Sequence, residues 1–118
     1  MDNDKYLIAV ASSDGIVVNN HFGRASTFYV YEIKEEEIRF IQIRNVEPVC
    51  NGGNHDENKL KKNLSNFIDC RYLLVSRIGN GALQVAESYG IEVYEVPGEI
   101  EESIRKLIQY KKINDLFR

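Results

Sequence analysis

The fold depends on the stretch Tyr6-Leu7-Ile8-Ala9-Val10-Ala11 and on the turn Ser12-Ser13-Asp14-Gly15 that follows it. The first part is an unbroken apolar run of strand length, and the second is a cluster of turn-forming residues. A short apolar run without interruption is typical of a strand that is buried on both faces. We therefore predict a central strand over residues 6–11.

Two alternating segments follow this strand. Side chains alternate with a period of two along residues 27–33, where Phe28 and Val30 alternate with Tyr29, Tyr31 and Ile33, and again along residues 38–43. The charged segment Lys34-Glu35-Glu36-Glu37 separates the two stretches. A period of two indicates strands with two distinct faces. We predict an antiparallel hairpin with an exposed charged tip.

The second half of the chain predicts helices alternating with strands. Asn54 and Glu57 have the spacing of a capping box, and apolar residues then recur at helical spacing at Leu60, Leu64, Phe67 and Ile68. This pattern predicts a helix of about four turns that begins at His55 and Asp56. We expect strands at 72–75 and 91–96, a helix after Gly79, and a C-terminal helix with the buried stripe Ile100, Ile104, Leu107 and Ile108.

The order of these elements predicts an α/β topology. A hairpin joined to a parallel βαβ half gives a mixed sheet with helices on its faces, strand order 3-2-1-4-5, and strand 2 or 3 antiparallel. This is the arrangement of a ribonuclease H-like five-stranded sheet, and we expect a single domain over residues 1–118. Two-metal nucleases need converging carboxylates. Residues 6–11 contain none, which disfavours a nuclease.

Composition excludes several classes of protein. Of the 118 residues 43% are apolar and 28% are charged, and the formal net charge is −3. A negative net charge and basic residues that are scattered along the chain disfavour nucleic-acid binding. The sequence has no apolar run of about 20 residues and no signal-peptide pattern, so we expect a cytoplasmic protein without a membrane role. In a reducing compartment Cys50 and Cys70 are free thiols or ligands, and we assign Cys70 to the core.

Two polar stretches contain both histidines and one of the cysteines. They are His21-Phe22-Gly23-Arg24 and Cys50-Asn51-Gly52-Gly53-Asn54-His55. Thiolate and imidazole are the protein groups that ligate iron in iron-sulfur assemblies, and glycines let a backbone approach a bulky ligand. The start of a helix near Cys50 favours its thiolate and attracts anions.

A second glycine turn, Arg77-Ile78-Gly79-Asn80-Gly81, follows the predicted strand at 72–75. In open α/β sheets ligands gather at the carboxyl ends of strands, and helix N-termini attract anions. Arg77 and Arg24 can complement the negative charge of such a ligand.

Four of these segments, at residues 8–15, 21–25, 50–56 and 74–79, together resemble the nitrogenase iron-molybdenum cofactor biosynthesis family. That family includes the NifX-type accessory proteins and the C-terminal domain of the NifB-type cofactor synthase. The resemblance runs from about residue 7 to residue 110. It implies an accessory domain of nitrogen fixation that carries an iron-sulfur precursor without transforming it. The chain lacks the three-cysteine motif of the synthase's radical domain, which excludes cluster synthesis.

We therefore expect a non-catalytic carrier for an iron-sulfur or iron-molybdenum cofactor precursor. It binds this cargo transiently, requires no permanent cofactor, exchanges it with donor and acceptor proteins, and is a monomer or a homodimer. The expected metal ligands are His21, Cys50 and His55. The expected cofactor-binding residues are Asp14, His21, Phe22, Gly23, Arg24, Gly52, Gly53, Arg77 and Gly79.

Two alternatives remain open. The first is a mononuclear zinc or iron site formed by His21, Cys50 and His55, with a general acid from Asp14, Asp56 or Glu57. The second is a metal-free module that binds a small anion or a protein partner through the two glycine turns.

Overall fold

A computed structural model describes residues 5–51, 54–55 and 57–117, and at residues 50, 51, 54 and 55 it describes the backbone alone. Its elements in chain order are β1 (Tyr6–Ala11), β2 (Val17–Val18), a 3₁₀ turn (Phe22–Arg24), β3 (Thr27–Lys34), β4 (Glu37–Asn45), β5 (Cys50–Asn51), β6 (Asn54–His55), α1 (Glu57–Ser65), β7 (Tyr72–Val75), α2 (Asn80–Ser88), β8 (Glu92–Glu95), β9 (Gly98–Glu99) and α3 (Ile100–Asp115).

The main sheet has five strands in the order β4-β3-β1-β7-β8. Strand β1 pairs antiparallel with β3 and parallel with β7, while β4 pairs antiparallel with β3 and β8 pairs parallel with β7. The predicted α/β class, the mixed five-stranded sheet and the position of residues 6–11 inside it are confirmed.

Burial on both faces explains the unbroken apolar run of β1. Ile8 and Val10 contribute to a core on one side of the sheet, and Ala9 and Ala11 contribute to a core on the other side. All four are fully buried. Successive strand residues point to opposite faces, so a strand covered on both faces needs apolar residues at every position.

The helices cover the two faces unequally. Leu60 and Leu64 of α1 and Ala82 and Ala86 of α2 pack in the core that contains Ala9. The stripe of α3 packs in the core that contains Ile8, as predicted, and consists of Ile100, Ile104, Leu107 and Ile108. Of the described helices, two therefore pack on one face and one packs on the other.

The hairpin between β3 and β4 has the predicted charged tip. Glu35 and Glu36 both adopt positive φ angles, of 51° and 71°. Two-residue turns with positive φ at both positions match the right-handed twist of paired strands. The tip is exposed, which places its carboxylates in water.

The predicted start of α1 is wrong. The helix begins at Glu57 and spans nine residues, whereas Asn54 and His55 lie in β6. Pairing with β5 gives the backbone of these two residues an alternative to helix formation, so Asn54 is not a helix cap. The predicted four turns are also too long, because the chain leaves the helix after Ser65 and Ile68 is 66% exposed.

None of the described helices combines the length and the apolar character needed to span a bilayer.

Candidate functional site

Two loops meet at the carboxyl end of β7. The residue pair His21 and Arg77 forms a parallel β-bridge beyond the end of the strand. The Phe22 N–H donates to the Arg77 carbonyl at 2.8 Å, and the Ser76 N–H donates to the Asn20 carbonyl at 3.0 Å. The structure thus joins the first predicted polar stretch to the second glycine turn through their backbones.

Phe22 anchors the first loop in the core. Its side chain is fully buried, and its ring lies 6.3 Å from that of Phe28, centroid to centroid. Its neighbours His21 and Arg24 are exposed, and Gly23 is half-buried. Burial of one aromatic side chain therefore fixes the loop while the imidazole of His21 and the guanidinium of Arg24 remain at the surface.

The turn after β7 leads into α2 without a side-chain cap. Gly79 occupies the N-cap position with an extended backbone. Because glycine has no side chain, no side-chain acceptor caps the first turn of the helix. A Cβ built at Gly79 or Gly81 would meet nothing within 4 Å. The N-terminus of α2 therefore opens to solvent beside the exposed Arg77, an arrangement that favours an anion.

Glu95, the last residue of β8, contacts this turn and was missed by the sequence interpretation. Its carboxylate accepts a hydrogen bond from the Ile78 N–H at 2.9 Å. That donor is consequently not available to a ligand. The sequence signal that could have found Glu95 was its place at the end of a predicted strand, because Glu95 pairs with Val75 at the carboxyl ends of β8 and β7.

The second polar stretch forms a small hairpin. Strands β5 and β6 pair antiparallel, with Cys50 opposite His55 and Asn51 opposite Asn54. The backbone of β5 lies against the Phe22–Arg24 turn, with Cα atoms within 8 Å. Because Cα atoms of directly opposite strand residues are about 4.5–5.5 Å apart, this pairing brings the backbones of Cys50 and His55 close together. Gly52, Gly53 and Asp56 lie outside the described residues.

Asp14 is engaged within its own turn. Its carboxylate accepts hydrogen bonds from the Ile16 N–H at 2.8 Å, the Val17 N–H at 3.1 Å and the Ser12 hydroxyl at 3.1 Å. The two backbone donors lower the pKa of Asp14. The turn therefore keeps the carboxylate charged and partnered, and among the predicted site residues Asp14 has the clearest local structural role.

Cys70 is a core residue, as predicted. It is 2% exposed, and burial raises the pKa of its thiol to about 12, with the Asp69 carboxylate adding to the effect. A neutral buried thiol is a poor metal ligand. Within the described part of the chain, no three side chains of histidine, cysteine, aspartate or glutamate form a metal-binding group. The side chains of Cys50 and His55 are outside that part.

Comparisons with known proteins give one family. The sequence profile of the dinitrogenase iron-molybdenum cofactor family matches residues 4–110. The FeMo cofactor biosynthesis protein NifB of Frankia alni is 36% identical over 104 residues, which are 86% of this chain and 20% of that protein. The NifB protein of Chlorobaculum tepidum is 32% identical over 119 residues, which are 99% of this chain and 27% of that protein. The chain thus spans about a fifth to a quarter of the length of these relatives.

Solved structures share the fold. The crystal structure of PH0822 superimposes with a TM-score of 0.63 at 27% identity, covering 87% of this chain and 90% of that one. The NMR structure of a Thermotoga protein of the DUF35 family gives a TM-score of 0.60 at 18% identity, covering 88% of each chain. The profile match covers nearly the whole sequence and agrees with the sequence resemblance. The chain therefore belongs to the dinitrogenase iron-molybdenum cofactor family.

Proposed function

We propose that the chain is a non-catalytic carrier that holds a preformed iron-sulfur or iron-molybdenum cofactor precursor transiently during metallocluster assembly. The observation that carries this proposal is the backbone convergence of three predicted segments. The bridge between His21 and Arg77 joins two of them, and β5, which contains Cys50, lies against the Phe22–Arg24 turn.

The charges at this edge suit an anionic cargo. Arg24 and Arg77 are exposed on the two bridged loops, and the uncapped N-terminus of α2 begins two residues after Arg77. The Glu95 carboxylate at this turn is already bound by the Ile78 N–H. Sulfide-rich clusters are commonly anionic, so cationic side chains and free N–H groups favour their binding. We assign His21, Cys50 and His55 as the ligands, with Gly52 and Gly53 allowing close approach.

A small set of ligands suits a carrier, because the cargo must leave again. A closed cage of four thiolates would hold a cluster permanently. Opposite pairing of Cys50 and His55 gives them a common hairpin, and we infer that His21 completes the set across the gap to β5. Of the other predicted residues, Asp14 stabilises its own turn after β1, and Phe22 anchors the loop of His21 in the core.

We also propose the wider setting of this role. The chain acts as a single domain with a ribonuclease H-like sheet in the cytoplasm, receives the cluster from a donor protein and delivers it to an acceptor. No catalytic step is assigned to it. The relatives named NifB and the family profile support a place in cofactor biosynthesis.

Anaerobic loading tests the proposal. The purified chain is incubated with isolated nitrogenase cofactor precursor and passed through gel filtration, with visible absorption and iron, sulfide and zinc analysis of the protein peak. We expect iron and sulfide to co-elute with the wild type and with the control Cys70→Ala. We expect the Cys50→Ala variant to lose at least tenfold in affinity, the effect that supporting changes at metal sites reach.

Three outcomes would contradict the carrier proposal. Failure of the wild type to co-elute with iron removes its basis. Zinc without sulfide in the protein peak favours the mononuclear alternative. Undiminished cluster binding by both Cys50→Ala and His21→Ala contradicts the ligand assignment on which the proposed carrier site rests.

A further inference from the structure

Among the described residues, no helix covers half of one sheet face. Helix α3 packs on β1 and β7 through the core that contains Ile8, Val10 and Leu74. Strand β4 is the outer strand on the other side of β3, and seven of its nine residues are exposed. Sheet faces in α/β domains are normally buried against another layer, so this half of the face lacks its cover.

Apolar side chains lie on that uncovered half, and we call them the apolar patch: Ile16, Tyr29, Tyr31, Phe40 and Ile43. Tyr29 pairs with Ile43 and Tyr31 pairs with Phe40 across the strands, which places each pair on one face. Tyr31 also packs against the α3 core, which identifies the face as the one that α3 occupies. Ile16, Phe40 and Ile43 are 63%, 50% and 48% exposed.

The patch is held in place rather than left on a loose loop. The Phe40 ring lies 6.1 Å from the Tyr29 ring and 5.7 Å from the Tyr31 ring, between centroids. The Ile16 N–H donates to the Asp14 carboxylate, and the Ile16 carbonyl accepts from the Ile100 N–H at 2.9 Å. Two backbone hydrogen bonds therefore fix the position of Ile16, although its side chain is exposed to solvent.

The rim of the patch is acidic. A groove that shares Ile16, Tyr31 and Phe40 with the patch is also lined by Gly15, Ile38, Ile100 and the acidic residues Glu99 and Glu101. The Glu99 carboxylate accepts a hydrogen bond from the Glu102 N–H at the start of α3. No basic side chain of the described residues lines this groove. Arg105 pairs with Glu101 along α3, on the helix and outside the groove lining.

These charges select the occupant. A second copy placed face to face about a two-fold axis would present the same groove, whose described lining includes Glu99 and Glu101 and no basic side chain to complement them. Like charges at an interface are unfavourable, whereas a basic surface is complementary. The geometry points to a protein partner that covers the apolar patch with an amphipathic helix whose apolar stripe is flanked by Lys or Arg, in the position that a second helix would take beside α3.

This inference does not depend on a bound cluster. An amphipathic helix in an apolar groove is a common mode of recognition, and its affinity comes from a few apolar anchors. The patch offers Phe40 as the large central contact and Ile16 and Ile43 at its sides.

The test uses two synthetic helical peptides of about 18 residues with identical leucine stripes, one flanked by Lys and the other by Glu. Binding to the isotope-labelled protein is followed by NMR. We expect the Lys peptide to bind at least about tenfold more tightly and to shift signals of the apolar patch. Phe40→Ser and Ile43→Ser should each weaken it by about tenfold, and Glu101→Gln by about two- to threefold.

The matched control is Ile68→Ser, because Ile68 is 66% exposed and lies in the turn after α1, outside the patch. It should leave binding unchanged. Equal binding of the two peptides, or shifts that map away from the patch, would overturn the inference. Self-association by sedimentation that Phe40→Ser abolishes and Ile68→Ser retains would overturn it in favour of a second copy.

Discussion

Gly15 is the residue where one added methyl group should be most informative. It follows the carboxyl end of β1 with φ of +76°, and a Cβ built there would lie 2.8 Å from two ring atoms of Tyr29. Gly90, after α2, has nearly the same φ of +79°, and a Cβ there would meet nothing within 4 Å. The two glycines therefore differ in surroundings and share their backbone conformation.

This comparison separates two energetic costs. An alanine in the left-handed region costs about 1–2 kcal/mol, and this is the whole expected effect of Gly90→Ala. Gly15→Ala adds displacement of the Tyr29 ring, and overpacking of this kind costs about 1–3 kcal/mol. Because the atoms in the way are the far end of one side chain, we take the lower part of that range. We expect about 2–4 kcal/mol for Gly15→Ala.

Urea unfolding followed by circular dichroism measures these differences. In a Tyr29→Ala background the Gly15→Ala cost should fall by about 1–2 kcal/mol, to the level of Gly90→Ala, as coupled neighbours do. The reasoning is refuted if Gly15→Ala is no worse than Gly90→Ala, or if removal of the Tyr29 ring leaves its cost unchanged.

Three further predictions concern single side chains. Asp69→Asn should lower the free energy of unfolding by about 1 kcal/mol at pH 7, because it breaks a bidentate ion pair with Arg44 whose N–O distances are 2.7 and 2.9 Å. Arg44 lowers the pKa of Asp69, so pH-dependent urea unfolding should find this difference intact above the ordinary value of 3.8 and lost as the pH falls through the lower folded pKa. Native Cys70, whose pKa burial raises to about 12, should resist alkylation at pH 8 and react in urea, by residue-resolved mass spectrometry. Glu95→Ala should release the Ile78 N–H and raise its amide hydrogen-exchange rate at least about tenfold, whereas an unchanged rate would contradict the assigned hydrogen bond.

The parts of the fold that follow from local patterns were predictable. The unbroken run of β1 and the period of two in β3 indicated strands because both patterns lie within a few residues. The apolar stripe of α3 was predictable for the same reason, because its residues recur at helical spacing within one short segment. The prediction at Asn54 and Glu57 was wrong because a capping pattern has the same spacing whether the first residue starts a helix or pairs in a short strand.

Contacts between distant residues were not predictable. Strand β2 pairs with β9 over two residues each, Val17–Val18 with Gly98–Glu99, and neither has a pattern of its own. The hydrogen bond from Ile78 to Glu95 likewise depends on how β7 and β8 align. The uncovered half of the sheet face could not be predicted, because the sequence of α3 does not indicate how far its cover extends.

At the candidate site, the sequence predicted which segments take part, and the backbone pairing that brings them together could not be read from it. The chemistry of histidine, cysteine and glycine marked the stretches at His21 and Cys50 and the turn at Arg77. Their meeting depends on the bridge between His21 and Arg77 and on the position of β5, which are products of the tertiary fold.

The carrier account is tested most directly by locating the cargo on the protein. The isotope-labelled chain is loaded anaerobically with a paramagnetic form of the cofactor precursor, and the loss of backbone amide signals is mapped by NMR. The account predicts losses at residues 20–24, 50–55 and 76–81, with the hairpin tip at Glu35 and Glu36 and the distant end of α3 unaffected. Losses centred on the hairpin tip or on α3, with the signals around His21 and Arg77 intact, would contradict it.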